Sequence, residues 1–317
     1  MKNAVIAGTG SYVPEKQLTN IELESMLDTT DEWIVSRTGI SSRSIAQDHE
    51  TTSYMASKAA ANALEASGLD ADEIDLIVVA TCTPDHFFPG VACYVQHALK
   101  IKRPIPAFDV GAACSGFVYV MDIAKQYIAS GAAKHVLVIG SESMSRAVDW
   151  NDRSTCVLFG DGAGAVILSA SDKPGVLGSV LHASYDAEKF LNLTNATFHG
   201  ERATISMRGN EVFKLAVNIM GEVVDEVLEL SQLKKSDIQW LIPHQANMRI
   251  IQAIAKKLDL PMSQVIVTIG NQGNTSAASI PLALDHSIRT NQIKRDELLL
   301  IESFGGGMTW GAMVIRY

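Results

Sequence analysis

Several classes of protein are missing from this 317-residue chain before any motif is sought. Its four cysteines, Cys82, Cys93, Cys114 and Cys156, form no C-x-x-C pair and have no histidine nearby at zinc-ligand spacing. Neither a metal site nor a disulfide framework is indicated, and no metal is expected. No apolar run approaches the ~20 residues that a membrane-spanning helix needs. The opening Met1-Lys2-Asn3-Ala4-Val5-Ile6-Ala7-Gly8 is broken by glycine too soon for a signal peptide, so a cytoplasmic protein is expected. Positive charge is in deficit. With 26 Lys and Arg against 35 Asp and Glu, the net charge of −9 argues against nucleic-acid binding, although a local basic patch can still receive an acidic partner. Gly8-Thr9-Gly10 and Gly160-Asp161-Gly162-Ala163-Gly164 lack the full G-x-G-x-x-G spacing into a helix with a downstream acid, and both read as tight turns.

What the chain does have is apolar bulk and an internal repeat. At 47% hydrophobic and 19% charged residues it can bury a large core, as one large domain or two fused ones. Residues 64–78 match residues 228–242 without a gap at an offset of 164, each a helix end, a polar turn and an apolar strand. Residues 111–141 match 273–303 at an offset of 162, each a glycine turn, a helix and a buried strand, His135–Ile139 or Glu297–Ile301. Two diverged α/β halves are implied, each a mostly parallel sheet with helices on its faces. Cys156–Phe159 and Ala165–Leu168 read as strands on either side of the Asp161–Gly164 turn, closing the first half. The boundary falls near Ser171–Pro174, giving halves 1–171 and 172–317.

Polar residues stand where such sheets place ligands, outside the carboxyl ends of strands. Pro106–Val110 reads as a strand and Gly111-Ala112-Ala113-Cys114-Ser115-Gly116-Phe117 as the turn into a helix, so Cys114 is expected at a helix N-terminus. The unpaired N–H groups and the dipole there favour thiolate, the nucleophilic form. Trp240–Pro243 ends in His244, and the strand Val265–Gly270 leads to Asn274 in a turn equivalent to that of Cys114. Taken singly, these are as readily a core thiol, a hydrogen-bonded histidine and a turn asparagine. Together they form a Cys-His-Asn set able to converge on one cleft.

The stretches Asp31-Glu32-Trp33-Ile34-Val35-Ser36-Arg37-Thr38-Gly39-Ile40, Gly111–Phe117, Pro243-His244-Gln245-Ala246-Asn247, Gly273-Asn274-Thr275-Ser276 and Phe304-Gly305-Gly306-Gly307-Met308-Thr309-Trp310-Gly311 closely resemble the β-ketoacyl-acyl-carrier-protein synthase III family. The resemblance runs end to end. It implies the thiolase fold, two duplicated α/β halves in a five-layer αβαβα arrangement, and an acyltransferase of type II fatty acid biosynthesis. The implied reaction is a decarboxylative Claisen condensation of an acyl-CoA primer, typically acetyl-CoA, with malonyl-acyl carrier protein. CoA is then a substrate, with no cofactor.

By the same resemblance Cys114 carries the acyl group, His244 and Asn274 bind the enolate oxygen, and the backbone N–H groups of Cys114 and Gly306 form an oxyanion hole. Trp33 and Arg153 would sandwich the adenine, Arg37 and Thr38 would lie near the CoA phosphates, and Gly209 and Asn247 near the pantetheine. Phe159 and Phe304 match the acyl pocket, which Phe88 would cap from the partner of a homodimer. Lys214, Arg249, Lys256 and Lys257, extended by Arg208, would supply the basic patch for an acidic carrier protein. Between Leu181 and Ile205 the chain departs from the family pattern, leaving primer length and branching open. A sibling condensing other acyl or aryl CoA thioesters keeps the same three residues, and a Cys-His-Asn thiol hydrolase shares their types. A catalytically silent binding protein would not need all three.

Overall fold

The computed structural model describes residues 2–195 and 204–317. Its first sheet has the strand order Asn3–Tyr12, Asp161–Ser171, His135–Ser143, Leu76–Ala80, Ala107–Val110. The second runs Val176–Ala183, Thr309–Arg316, Leu298–Gly305, Trp240–Pro243. Both repeat one pattern. The inner pair, Leu76–Ala80 with His135–Ser143 or Trp240–Pro243 with Leu298–Gly305, is parallel, and the two outer pairings beyond it are antiparallel. The repeated sequence segments therefore occupy equivalent strands of two sheets.

Side-chain alternation shows how the sheets stack, because successive residues of a strand face opposite sides. Leu76, Val78 and Ala80 pack with Val136, Val138, Leu299, Ile301 and the helices Gly116–Ala129 and Ser279–Arg289 in one core. Ile77, Val79, Leu137 and Ile139 face the other way, onto the helices Thr52–Ser67 and Val91–Ala98. Leu298 and Leu300 likewise meet the helices Gly209–Leu230 and Met248–Lys257. The order is helix, sheet, helix, sheet, helix: five layers, with strands covered on both faces and hence nearly continuous in Val, Ile and Leu.

Four local expectations are corrected. Gly8–Gly10 is no turn; it lies within Asn3–Tyr12, where a Cβ on Gly10 would come 2.2 Å from the backbone nitrogen of Ala63. Asp161–Gly164 is likewise strand, paired with Gly140–Ser143, and a Cβ on Gly164 would strike Pro281 at 2.6 Å. These glycines let a helix backbone lie directly on the sheet. Cys156–Phe159 forms turns rather than a strand, with a single β-bridge from Phe159 to Asn274. Val265–Thr268 runs beside Trp240–Pro243, the place Ala107–Val110 has in the first sheet, but makes only the bridge Leu241–Val265. Gln245 interrupts that ladder by accepting the Thr268 and Ile269 N–H groups at 2.8 and 3.2 Å.

Candidate active site

Cys114 lies between the strand Ala107–Val110 and the helix Gly116–Ala129, in a 3-10 turn over Ala113–Ser115. The matching turn of the second half, Ser276–Ala278, precedes the helix Ser279–Arg289. Both turns open on a left-handed non-glycine residue, Ala113 at φ 45° and Ser276 at φ 50°. Such a conformation costs roughly 1–2 kcal/mol and persists only where tertiary contacts hold it. The contacts come from the other half of the chain. Ser303 donates to the Cys114 carbonyl at 2.8 Å, and the Thr309 hydroxyl donates to that of Ala112 at 3.0 Å. Gly305 packs so closely that a Cβ there would lie 2.9 Å from the Cys114 nitrogen.

The electrostatics at Cys114 oppose the expectation of a resting thiolate. Burial pushes the thiol up to about 12, a hydrogen bond with Ser276 pulls it partly back, and the Glu142 carboxylate pushes it further up. The thiol precedes the first turn of the helix rather than crowning it, so desolvation outweighs the dipole. Cys114 rests protonated at neutral pH.

His244 follows the strand Trp240–Pro243 and is held by its own N–H, which donates to the Glu302 carbonyl at 2.9 Å. Gln245 fixes this corner by donating to the Pro243 and Ile266 carbonyls at 2.8 and 3.2 Å. Neither imidazole nitrogen has a protein partner, and burial pushes the ring down to about 3. It is therefore neutral, with one N–H to give. Asn274 is anchored through its backbone: its N–H donates to the Leu158 carbonyl at 2.8 Å and its carbonyl accepts from Gly160 at 3.0 Å. Its side-chain oxygen accepts the Ser276 N–H at 2.9 Å, which leaves the amide NH2 as the group it offers to a ligand.

Cys114, His244 and Asn274 line one cavity of about 250 Å³. It also brings together Trp33, Arg37, Thr38, Arg153, Gly209, Asn247, Arg249, Phe159 and Phe304. A second cavity, about 340 Å³, shares Cys114, Phe159 and Leu191 with it and adds Gly306, Met144 and Ile205. A carbonyl at Cys114 thus has room on both sides. Thr38 lines the first cavity with its hydroxyl already committed, donating to Ile34 at 2.7 Å and accepting from Ile40 at 3.0 Å. Arg153 covers Trp33 at 5.2 Å from the ring centroid, with Arg37 at 4.7 Å, so no slot stands open between Trp33 and Arg153.

Apart from Arg249, the remaining expected residues lie away from these walls. Phe88 is 87% exposed, beside an exposed Phe87. Lys214 and Lys256 are exposed, and the Arg249 guanidinium sits 5.8 Å from the Phe213 ring. Lys257 is tied down, its ammonium donating to the Val217 and Asn218 carbonyls at 3.3 and 3.0 Å, which joins two helices. Arg208 pairs with Glu188 at 3.8 Å and stacks on Phe190. Sequence reasoning missed Glu302, a buried carboxyl in the cavity wall, and Gln245. The signal for Glu302 was a single acid in the apolar run Leu298–Phe304. Among the described residues, no cluster of His, Cys, Asp and Glu suits a metal ion, and no helix is long and apolar enough to cross a membrane.

Comparison with known proteins bears on this geometry. The model described as 3-Oxoacyl-[acyl-carrier-protein (ACP)] synthase III matches residues 108–184, and its C-terminal counterpart matches 228–317. The chain is 53% identical over 318 residues to a beta-ketoacyl-[acyl-carrier-protein] synthase III of Coxiella burnetii, covering 100% of both. A namesake from Thiobacillus denitrificans is 53% identical, with 98% of each covered. The crystal structure of 3-oxoacyl-[acyl-carrier-protein] synthase III from Aquifex aeolicus superposes with a TM-score of 0.95 at 50% identity, over 99% of this chain and 100% of that one. The turn bearing Cys114 lies in the first matched segment and those bearing His244 and Asn274 in the second; with relatives this similar over their whole length, the chain has the thiolase fold and belongs to the 3-oxoacyl-[acyl-carrier-protein] synthase III family.

Proposed function

We propose that this enzyme condenses an acyl-CoA primer, acetyl-CoA in the first instance, with malonyl-acyl carrier protein, and that Cys114 carries the acyl group between the two half-reactions. It is an initiating condensing enzyme of fatty acid biosynthesis, and its products are a 3-oxoacyl carrier protein, CoA and CO2. The observation that carries the residue assignment is the opening of Cys114, His244 and Asn274 onto one cavity, with a neutral imidazole and a side-chain amide both able to donate.

In acylation the Cys114 sulfur attacks the primer thioester, and CoA leaves with the thiol proton on its sulfur. The tetrahedral oxygen rests on the backbone N–H groups of Cys114 and Gly306, which the close-packed glycine run favours. Malonyl carrier protein then takes the CoA place. His244 and Asn274 donate to the thioester oxygen as CO2 departs, and the resulting carbanion attacks acyl-Cys114. The CoA arm passes Asn247 and Gly209, its phosphates lie by Arg37 near Thr38, and the adenine stacks on Trp33 once Arg153 swings off that ring. The acyl chain extends past Phe159 and Phe304.

The exposed Phe87-Phe88 pair supports a homodimer in which each protomer caps the acyl pocket of the other. Lys214, Arg249 and Lys256 supply the docking patch for the acidic carrier, with Lys257 bracing the helices beneath. The two halves are 1–171 and 172–317, no cofactor is needed, and the setting is cytoplasmic. The decisive experiment is intact-protein mass spectrometry after incubation with acetyl-CoA. Wild type gains one acetyl group and Cys114→Ala gains none; an acetylated mutant places the nucleophile elsewhere.

A further inference from the structure

Glu302 faces the cavity that holds the reacting groups, although the three-residue chemistry does not use it. Its residue exposure is 1%, it lines the wall with His244 and Asn274, and its Oε1 has no protein partner. The other buried glutamate beside the nucleophile contrasts with it. Glu142 is saturated, accepting from the Cys82 and Thr83 N–H groups and from the Thr81 and Thr83 hydroxyls. Leaving a buried carboxyl short of donors costs stability, so its presence calls for a use.

We infer that Glu302 is a proton-holding positioning residue, acting through His244: the two share one wall, their strands are joined by the His244 N–H to Glu302 carbonyl bond, and neither Glu302 Oε1 nor either ring nitrogen of His244 is bonded to protein. The inference rests on the proposed roles of Cys114 and His244. The chemistry needs such a group because each turnover takes up one proton. In condensation the malonyl C–CO2 bond breaks, its electron pair forms the new C–C bond, and the Cys114 sulfur leaves as thiolate. That thiolate takes a proton and returns to the resting thiol; in the next acylation its sulfur bonds the primer carbon, the bond to the CoA sulfur breaks, and the thiol proton leaves on the CoA sulfur. Protonated Glu302 supplies the proton that the Cys114 thiolate takes, through the imidazole, and water at the mouth of the cavity restores it.

The surrounding ionisable groups leave this task to Glu302. Cys114 enters from the turn before Gly116–Ala129 and is held protonated to about 12, while His244, after Trp240–Pro243, is neutral down to about 3. The helix Gly209–Leu230 presents Val212, Phe213, Ala216 and Met220 to the cavity, none of them ionisable. Arg37, Arg153 and Arg249 line the same cavity with exposed side chains. Burial pushes Glu302 up to about 8, so at neutral pH it carries a transferable proton.

The test compares wild type with Glu302→Gln, which keeps the shape and removes the titration, by the pH profile of kcat with both substrates saturating. The expected result is a wild-type profile that falls above about 8, and a variant roughly a hundredfold slower at pH 7 with that alkaline limb gone. A variant that retains the limb overturns the inference, as does one whose rate is unchanged. If Glu302→Gln does not fold, Glu302→Asp carries the same test: a shifted limb supports the relay and an unmoved limb overturns it. Acetyl labelling of Cys114, followed by mass spectrometry in both proteins, keeps the roles of the nucleophile and the relay distinguishable.

Discussion

Asn274→Asp separates two jobs that one side chain performs. The Asn274 oxygen accepts the Ser276 N–H at 2.9 Å and shapes the turn, whereas its NH2 is the group assigned to the enolate. Aspartate keeps the accepting oxygen and the size of the side chain but replaces the donor with a second oxygen. Asn274→Ala loses both, and leaving the buried Ser276 N–H without a partner costs about 1–3 kcal/mol. Losing one donor to a developing oxyanion raises the barrier by about 2.7–4 kcal/mol, or roughly 10²–10³ in rate. A donor role therefore requires that aspartate fall at least as far as alanine in malonyl decarboxylation, although its fold is the better preserved. Release of labelled CO2 from malonyl carrier protein measures that step, and acetyl transfer to Cys114 by intact mass measures the other, which should stay within a few-fold of wild type. An aspartate variant with near-normal decarboxylation, or equal loss in both steps, would refute the assignment and leave Asn274 as a turn residue.

Lys214→Glu and Arg249→Glu should each raise KM for malonyl carrier protein several-fold at low salt with little change for acetyl-CoA, and added salt should shrink the difference. Steady-state kinetics across ionic strength decide it, and an unchanged carrier KM returns both residues to the solvated surface. Lys257→Met should instead lower the melting temperature, because its ammonium joins two helices. The buried histidine sets an acid limit: its ordinary value of 6.5 falls to about 3 on folding, so the unfolded chain binds the extra proton and stability drops as pH falls through that window. His244→Gln should therefore gain on wild type by about 1.4 kcal/mol per pH unit there. Glu302 has the opposite sign, rising from 4.5 to about 8, so stability is lost as pH rises through that range and Glu302→Gln should gain on wild type toward pH 8. Denaturant melts across pH test both, and parallel curves would refute them.

The failures of sequence reading share one cause. Gly8–Gly10 and Asp161–Gly164 carry the same residues as tight turns, and only the helix backbones lying on them distinguish a strand. Cys156–Phe159 has strand composition, yet its Leu158 carbonyl is taken by Asn274 rather than by a neighbouring strand. Glu302 stood out as one acid in an apolar run, but what it faces depends on strands nearly 60 residues apart, as in its pairing with Pro243.

Periodicity, repetition and residue type, all local to the chain, were enough for the duplicated α/β architecture and for naming Cys114, His244 and Asn274 as candidates for one cleft, because buried parallel strands force apolar runs and put polar turns at their carboxyl ends. Tertiary structure alone decided the charge states. A thiol at about 12, an imidazole at about 3 and a carboxyl at about 8 are all set chiefly by desolvation, which depends on the atoms that close over a group from every side and not on its neighbours in sequence.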